Sequence, residues 1–202
     1  MTEFNILCDR LPDSISLDGR DHPILTDFRR WIVMLDLFDK CRSSRSRPLD
    51  LVTAARCAIH TVMPDSTDLC DLPSDSLVRL LEKMAAFALG GVDVTDTDDA
   101  PPQRSEQVLD FACDAEVILA SFQSVYGIDL TSAAMHWWRF LALLRAMPSD
   151  SPLMQIVSLR RCDTTKIGDD DLRRRIRRAK AAVRIRRHDT APTDTEKEVY
   201  YG

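Results

Sequence analysis

The stretch 110–147, DFACDAEVILASFQSVYGIDLTSAAMHWWRFLALLRAM, constrains this chain more than any other. Phe111, Ala115, Ile118, Leu119, Phe122 and Val125 recur at intervals of three and four, the spacing of one buried helical face. Asp110 is placed to cap that helix, and Asp114 and Glu116 put negative charge where the helix dipole favours it. Gly127 is the left-handed residue expected to end the helix, with Ile128 closing the apolar contact beyond it. Thr131 or Ser132 then caps a second helix carrying Ala134, Trp137, Trp138, Leu141 and Leu144, with Phe140 widening its apolar face. The prediction is a helical hairpin broken at Gly127.

Upstream, SISLDGRDHPI alternates apolar and polar residues about Asp18-Gly19, which predicts a short β-hairpin with Pro23 at an edge. Thr26 is expected to cap a helix with Phe28, Trp31, Ile32, Leu35 and Phe38 on its buried face. A polar loop at 42–48 ends it. Helices over about 50–62 and 75–89 follow, the latter turning Leu77, Leu80, Leu81, Met84 and Phe87 inward and stopping at Gly90. Residues 91–109 are acidic and interrupted by Pro101-Pro102, the composition of a flexible connector.

Downstream, Pro148 and Pro152 bracket a turn before a short helix with Met154, Ile156, Val157 and Leu159. Asp169, Asp170 and Asp171 open a last helix, predicted to reach about His188. Its apolar residues Leu172, Ile176, Ala179 and Val183 form a narrow coiled-coil-like seam flanked by arginines. Residues 189–202 have little means of burying surface, which predicts a disordered tail. The organisation expected is therefore a hairpin plus helices over 1–90, the connector 91–109, a helical region 110–188 and the tail. Whether 1–90 and 110–188 form one domain or two is left open.

Charge sharpens the last helix. The chain of 202 residues carries a net −5, yet 160–188 holds 12 Lys and Arg against 4 Asp and Glu, so the remainder carries −13. A basic helix of this kind suits a solvated or internally paired face, a protein partner or, less well without aromatic residues for stacking, nucleic acid. The six cysteines are scattered without a CxxC pair, and Cys57 and Cys113 fall on predicted apolar faces, as buried thiols do. His22, His60, His136 and His188 lie far apart with no metal-ligand spacing, and no nucleophile elbow or phosphate loop is present. His136 is expected to fill an interface or bond a neighbouring carbonyl. No catalytic residue, cofactor or metal is predicted, no leader of a secreted chain is evident, and no stretch has the roughly 18 apolar residues of a membrane span. Trp137 and Trp138 stand about 100° apart on a helix, so one is expected in the core and the other either on a second core face or exposed, where tryptophan anchors partners.

Several of these residues carry a resemblance. Asp114-Ala115-Glu116, Ser121-Phe122, Tyr126-Gly127-Ile128-Asp129-Leu130, His136-Trp137-Trp138, Met154-Gln155-Ile156, Leu159-Arg160, Asp163 and Lys166-Ile167 fit one pattern. Pro23-Ile24 and Thr26-Asp27-Phe28-Arg29 before Trp31 extend it. The sequence resembles the bacteriophage gene-product-fifteen family, encoded in siphophage tail-gene clusters, over most of 13–180 and most strongly over 110–167. The resemblance implies a helical protein of phage tail assembly, acting in the host bacterial cytoplasm. The family's gene position, beside the major tail protein and the tape measure, resembles that of tail assembly chaperones.

The expected fold is mainly α, a bundle of about six helices with a small N-terminal β-hairpin. The expected function is non-enzymatic tail morphogenesis, with a chaperone of the tape-measure protein as the leading role. A minor structural component of the virion and a basic nucleic-acid-binding accessory are the alternatives. Partner contacts are expected at Trp137, Trp138, Leu172, Ile176, Val183, Arg174 and Arg178. The partners implied are the tape measure and possibly the major tail protein, with self-association also open and no membrane.

Overall fold

Ile15 and Leu17 alternate with serine and meet a turn that only particular residues tolerate. In the computed structural model, which describes residues 6–43, 48–66, 69, 72–91 and 108–185, they form β1 (Ser14–Leu17). It pairs antiparallel with β2 (Arg20–Pro23) in the register Ser14↔Pro23, Ile15↔His22, Ser16↔Asp21 and Leu17↔Arg20. Asp18 and Gly19 have φ of 50° and 79°, the left-handed pair of a tight two-residue hairpin turn. Ile15 and Leu17 are buried, and Pro23 sits in the terminal pair of the ladder as expected.

The fold is mainly α, with seven helices among the described residues where about six were expected. They are α1 (Phe28–Ser43), α2 (Pro48–Val62), α3 (Ser74–Ala88), α4 (Ala115–Tyr126), α5 (Trp137–Arg145), α6 (Pro152–Arg161) and α7 (Asp170–Ala182). The chain forms two compact units, one of Met1–Gln103 with Phe122–Pro148, the other of Arg104–Ser121 with Ser149–Gly202. The division thus passes through α4 as well as through the connector. The last predicted helix, expected to reach about His188, ends at Ala182 with Val183 as its C-cap; most of 91–109 and the tail 189–202 lie outside the described residues.

In the first unit, α1 turns Phe28, Trp31 and Met34 inward, while Ile32, Leu35 and Phe38 are only half-buried. The helix is therefore rotated toward Met34 relative to the predicted face. Asp27, not Thr26, caps it: its carboxylate accepts the Arg29 N–H at 2.9 Å. From α2 come Ala55, Ala58, Ile59 and Val62, and from α3 Leu80, Met84, Phe87 and Ala88. The Ala55-Ala58-Ile59-Val62 face leaves Cys57 on the opposite side, so this thiol is exposed, as is Cys113 in the turn before α4. Both were predicted to be buried.

An aromatic cluster fills this core. Phe28 stacks on Phe140 at 4.8 Å and Phe122 on Phe140 at 5.1 Å. Trp31 meets Phe87 at 4.4 Å and Trp137 at 6.5 Å. All three tryptophans of the chain are buried in it. Such pairs contribute about 0.5–1.5 kcal/mol each beyond their burial.

The central stretch departs from a simple hairpin at both helix starts. Asp110 does cap, but it accepts Ala112 and Cys113 N–H groups in a separate turn, and α4 begins only at Ala115, which is exposed. At the other end Gly127 is left-handed (φ 65°) as predicted, and its N–H closes on the Gln123 carbonyl at 3.1 Å. Residues 127–136 then form a connection, not a tight break. Asp129 organises it by accepting the Thr131 N–H (2.8 Å), the Thr131 hydroxyl (2.6 Å) and the Ser132 hydroxyl (3.2 Å). Thr131 and Ser132 are thereby held in a turn, and neither caps α5.

In the second unit the buried face of α6 is Leu153, Val157 and Arg160, a spacing of four and three that includes a charge. Ile156 and Leu159 are half-buried at its sides. Ser151 caps α6 by accepting the Met154 N–H, and the buried Ser121 hydroxyl accepts the Leu153 N–H at 3.1 Å.

Candidate functional site

Thr26-Asp27-Phe28 and Met135-His136-Trp137 meet as a short antiparallel bridge. The Phe28 N–H donates to the Met135 carbonyl at 3.0 Å, and the Trp137 N–H donates to the Thr26 carbonyl at 2.7 Å. These bonds use N–H groups at the first turns of α1 and α5, which have no partner inside their own helices. His136 completes the joint. Its Nδ1 accepts the Trp138 N–H at 3.0 Å and so caps α5, which fixes Nε2 as the donor toward the Pro12 carbonyl at 3.0 Å. Arg29 adds a brace, with its guanidinium on the Asp27 carboxylate at 3.0 Å, on the Leu130 carbonyl at 2.5 Å and 4.6 Å from the Phe28 ring centre.

The same helix α5 closes the C-terminal end of α3. The Trp138 indole N–H donates to the Phe87 carbonyl (2.8 Å) and the Trp137 indole N–H to the Ala88 carbonyl (2.9 Å). Arg145 donates to the Leu89 carbonyl at 2.8 Å. Three successive carbonyls at a helix end thus take donors from one neighbouring helix. Gly90 and Gly91, both at φ 81°, turn the chain there; the Gly91 N–H reaches the Ala86 carbonyl and the Gly90 N–H the Phe87 carbonyl. Neither tryptophan is at the surface: Trp137 is 1% exposed and Trp138 8%. Of the two readings, a second core face and an exposed anchor, the structure shows the first, because both indoles answer adjacent carbonyls of α3.

In the second unit the buried Arg160 is the hub. Its two terminal nitrogens take both oxygens of Asp114, at 2.6 and 2.7 Å, in a forked pair. Two further N–H groups go to the Val108 carbonyl (3.0 Å) and the Val183 carbonyl (2.6 Å). The hydrogen bonds it donates to Asp114 hold the guanidinium above its already high ordinary value, so it stays charged. Asp114 stands directly before α4, at the helix start where its charge was predicted, and is in addition 4% exposed and an ion-pair partner. A charged residue in line with Leu153 and Val157 at helical spacing was the available signal for this pair.

These joints are built from Thr26, Asp27, Phe28, Arg29, Asp114, Leu130, His136, Trp137, Trp138 and Arg160, drawn from segments far apart in sequence. The family model described as Bacteriophage Gp15 protein matches residues 7–185. The chain belongs to that family. No curated protein and no solved structure matches it.

In this Gp15-family protein the last helix is arranged otherwise than its apolar spacing suggests. The side of α7 turned to its own unit carries Arg173, Ile176, Lys180 and Val183, all half-buried. Arg173 donates to the Ile167 carbonyl at 2.7 and 3.0 Å, and Lys180 to the Cys162 carbonyl at 3.3 Å. Ile176 and Val183, predicted as partner contacts, thus face inward, while Leu172 stays 46% exposed. Arg174 is exposed and pairs with Asp171; Arg178 is exposed with no partner among the described residues. Asp169 caps the helix through the Asp171 and Leu172 N–H groups. Among the described residues no group of three His, Cys, Asp or Glu side chains is placed to hold a metal ion, and no helix is long and apolar enough to cross a membrane.

Proposed function

We propose that this Gp15-family protein serves phage tail morphogenesis without catalysing a reaction, as an assembly chaperone that shields the tape-measure protein. It acts in the host cytoplasm while tails are being built. One observation carries the role: side chains among those that carry the resemblance cap helices or close the end of another helix. Asp27, His136, Trp137 and Trp138 each take a backbone group of another segment or cap a helix. Groups so engaged make a preorganised scaffold, which suits holding another chain at low conformational cost. The apolar residue Leu172 beside arginines on α7 suits a helix-on-helix contact that keeps the complex charged.

Co-expression with the tape-measure protein of the same tail cluster, followed by affinity capture, tests this. A soluble complex is expected, together with a larger soluble fraction of the tape-measure protein. A tape-measure protein that is equally soluble alone and is not captured removes the role. Mass spectrometry of purified virions then separates a chaperone, lost from the finished particle, from a structural component retained in it.

A further inference from the structure

We propose that the outward ridge of α7 is a docking site for an acidic amphipathic helix of a partner protein. It rests on the assembly role above only in taking the partner to be a protein. The ridge is made of Leu172, Arg175, Ala179 and Ala182, exposed residues at intervals of three, four and three, with Arg178 beside them. Such spacing places side chains in one line along a helix. Over its 13 residues α7 is about 20 Å long, enough for a partner helix to lie along it.

The chemistry of the ridge selects its occupant. Leu172 is 46% exposed, an apolar knob at the N-terminal end of the line. Ala179 and Ala182 are small, so a second helix can approach closely along the C-terminal part. Most cations of α7 are engaged within the chain: Arg173 with Asp170, Arg174 with Asp171, Arg177 with Thr164 and Lys180 with Cys162. Arg175 and Arg178 alone within α7 have no partner among the described residues; Arg175 lies within the line and Arg178 beside it, so the ridge sets positive charge among its apolar residues. A helix with leucine or alanine on its seam and glutamates beside it therefore fits. A second copy of α7 does not, because its arginines would meet their like. Duplex nucleic acid fits poorly as well. The apolar line of Leu172, Ala179 and Ala182 gains nothing against a phosphate, and α7 has no aromatic residue for stacking on bases.

The test uses the full chain and a synthetic helical peptide about four turns long, Leu and Ala on the seam and Glu on both flanks. Binding is read by fluorescence anisotropy at low and at physiological salt. The wild type should bind at low salt, and Arg175→Glu/Arg178→Glu should weaken binding by about tenfold or more. Both side chains are exposed, so circular dichroism should show the variant folded. A peptide with Lys in place of Glu should show the opposite preference, favouring the variant. No binding at low salt, equal binding by the variant, or tighter binding of a short DNA duplex than of the peptide overturns the proposal. A wild type that binds the peptide but fails to capture the tape-measure protein keeps the ridge and removes the assembly role. The reverse result removes the ridge alone.

Discussion

The six-membered ring of Trp138 lies 2.9 Å from the point where a Cβ on Gly91 would stand. Gly91 also has φ 81°, so two independent constraints exclude a side chain there. Gly127 has only one of them, a φ of 65° with nothing within 4 Å of its hypothetical Cβ. Gly127→Ala should therefore cost only the left-handed strain, about 1–2 kcal/mol. Gly91→Ala adds displacement of a buried indole and should cost about 2–4 kcal/mol. Urea unfolding followed by tryptophan fluorescence compares them; equal losses would remove the steric role of Trp138.

Trp137 and Trp138 make formally alike bonds, yet they should not be equally replaceable. The Phe87 carbonyl keeps the Gly90 N–H when the Trp138 donor is lost, at 2.9 Å. The Ala88 carbonyl has the Trp137 indole as its donor among the described residues. Phenylalanine at either position preserves much of the apolar volume and removes the N–H. Trp137→Phe should destabilise by about 1–3 kcal/mol and Trp138→Phe by about 0.5–1.5 kcal/mol. Thermal or urea unfolding by circular dichroism gives the order, and a costlier Trp138→Phe would contradict this account.

What was legible in the sequence was chemistry that acts within a few residues. Asp18-Gly19 announced its turn, and Gly90 and Gly127 announced their helix ends, because the left-handed backbone admits few residue types. The start of α5 was not legible. Its cap is His136, an uncommon capping residue, while Thr131 and Ser132, the usual kind, are drawn into the turn around Asp129. A helical wheel treats Trp137 and Trp138 as pointing apart, and they do; what it cannot contain is the end of another helix, lying where both indoles reach it. Arg160 was hidden for a related reason. Pattern reading assigns a charge to solvent, and the carboxylate that keeps this one buried lies 46 residues upstream.

Asp129 and Asp163 should titrate below the ordinary carboxylate range. The Thr131 hydroxyl and N–H, then Ser132 and the charge of Arg29, favour the ionised form of Asp129; Thr165 and then Lys166 and Lys180 do the same for Asp163. A depressed folded value means that each group's stabilisation is present above the unfolded value of about 3.9 and is lost as pH falls through the folded value. Stability should thus rise with pH across the acidic range. Carbon-detected NMR of the carboxyl groups reads both midpoints. Thr131→Val should raise that of Asp129 and leave that of Asp163 in place; an unmoved Asp129 would show that Thr131 does not hold it.

The forked pair of Asp114 and Arg160 should dominate the stability of the second unit. Asp114→Asn keeps the shape and removes the charge that compensates a buried guanidinium, which should cost about 3–5 kcal/mol. Replacing both partners by apolar residues, Asp114→Leu with Arg160→Met, leaves no buried charge and should be less damaging than the single change. It should not restore the wild type, because Arg160 also satisfies the Val108 and Val183 carbonyls. Hydrogen exchange should report the loss at 108–121 and 152–185. Tryptophan fluorescence should respond less, since Trp31, Trp137 and Trp138 all belong to the first unit. An Asp114→Asn protein with unchanged exchange over these segments would mean that the pair ties nothing together, and the last turn of α7 would then need another anchor.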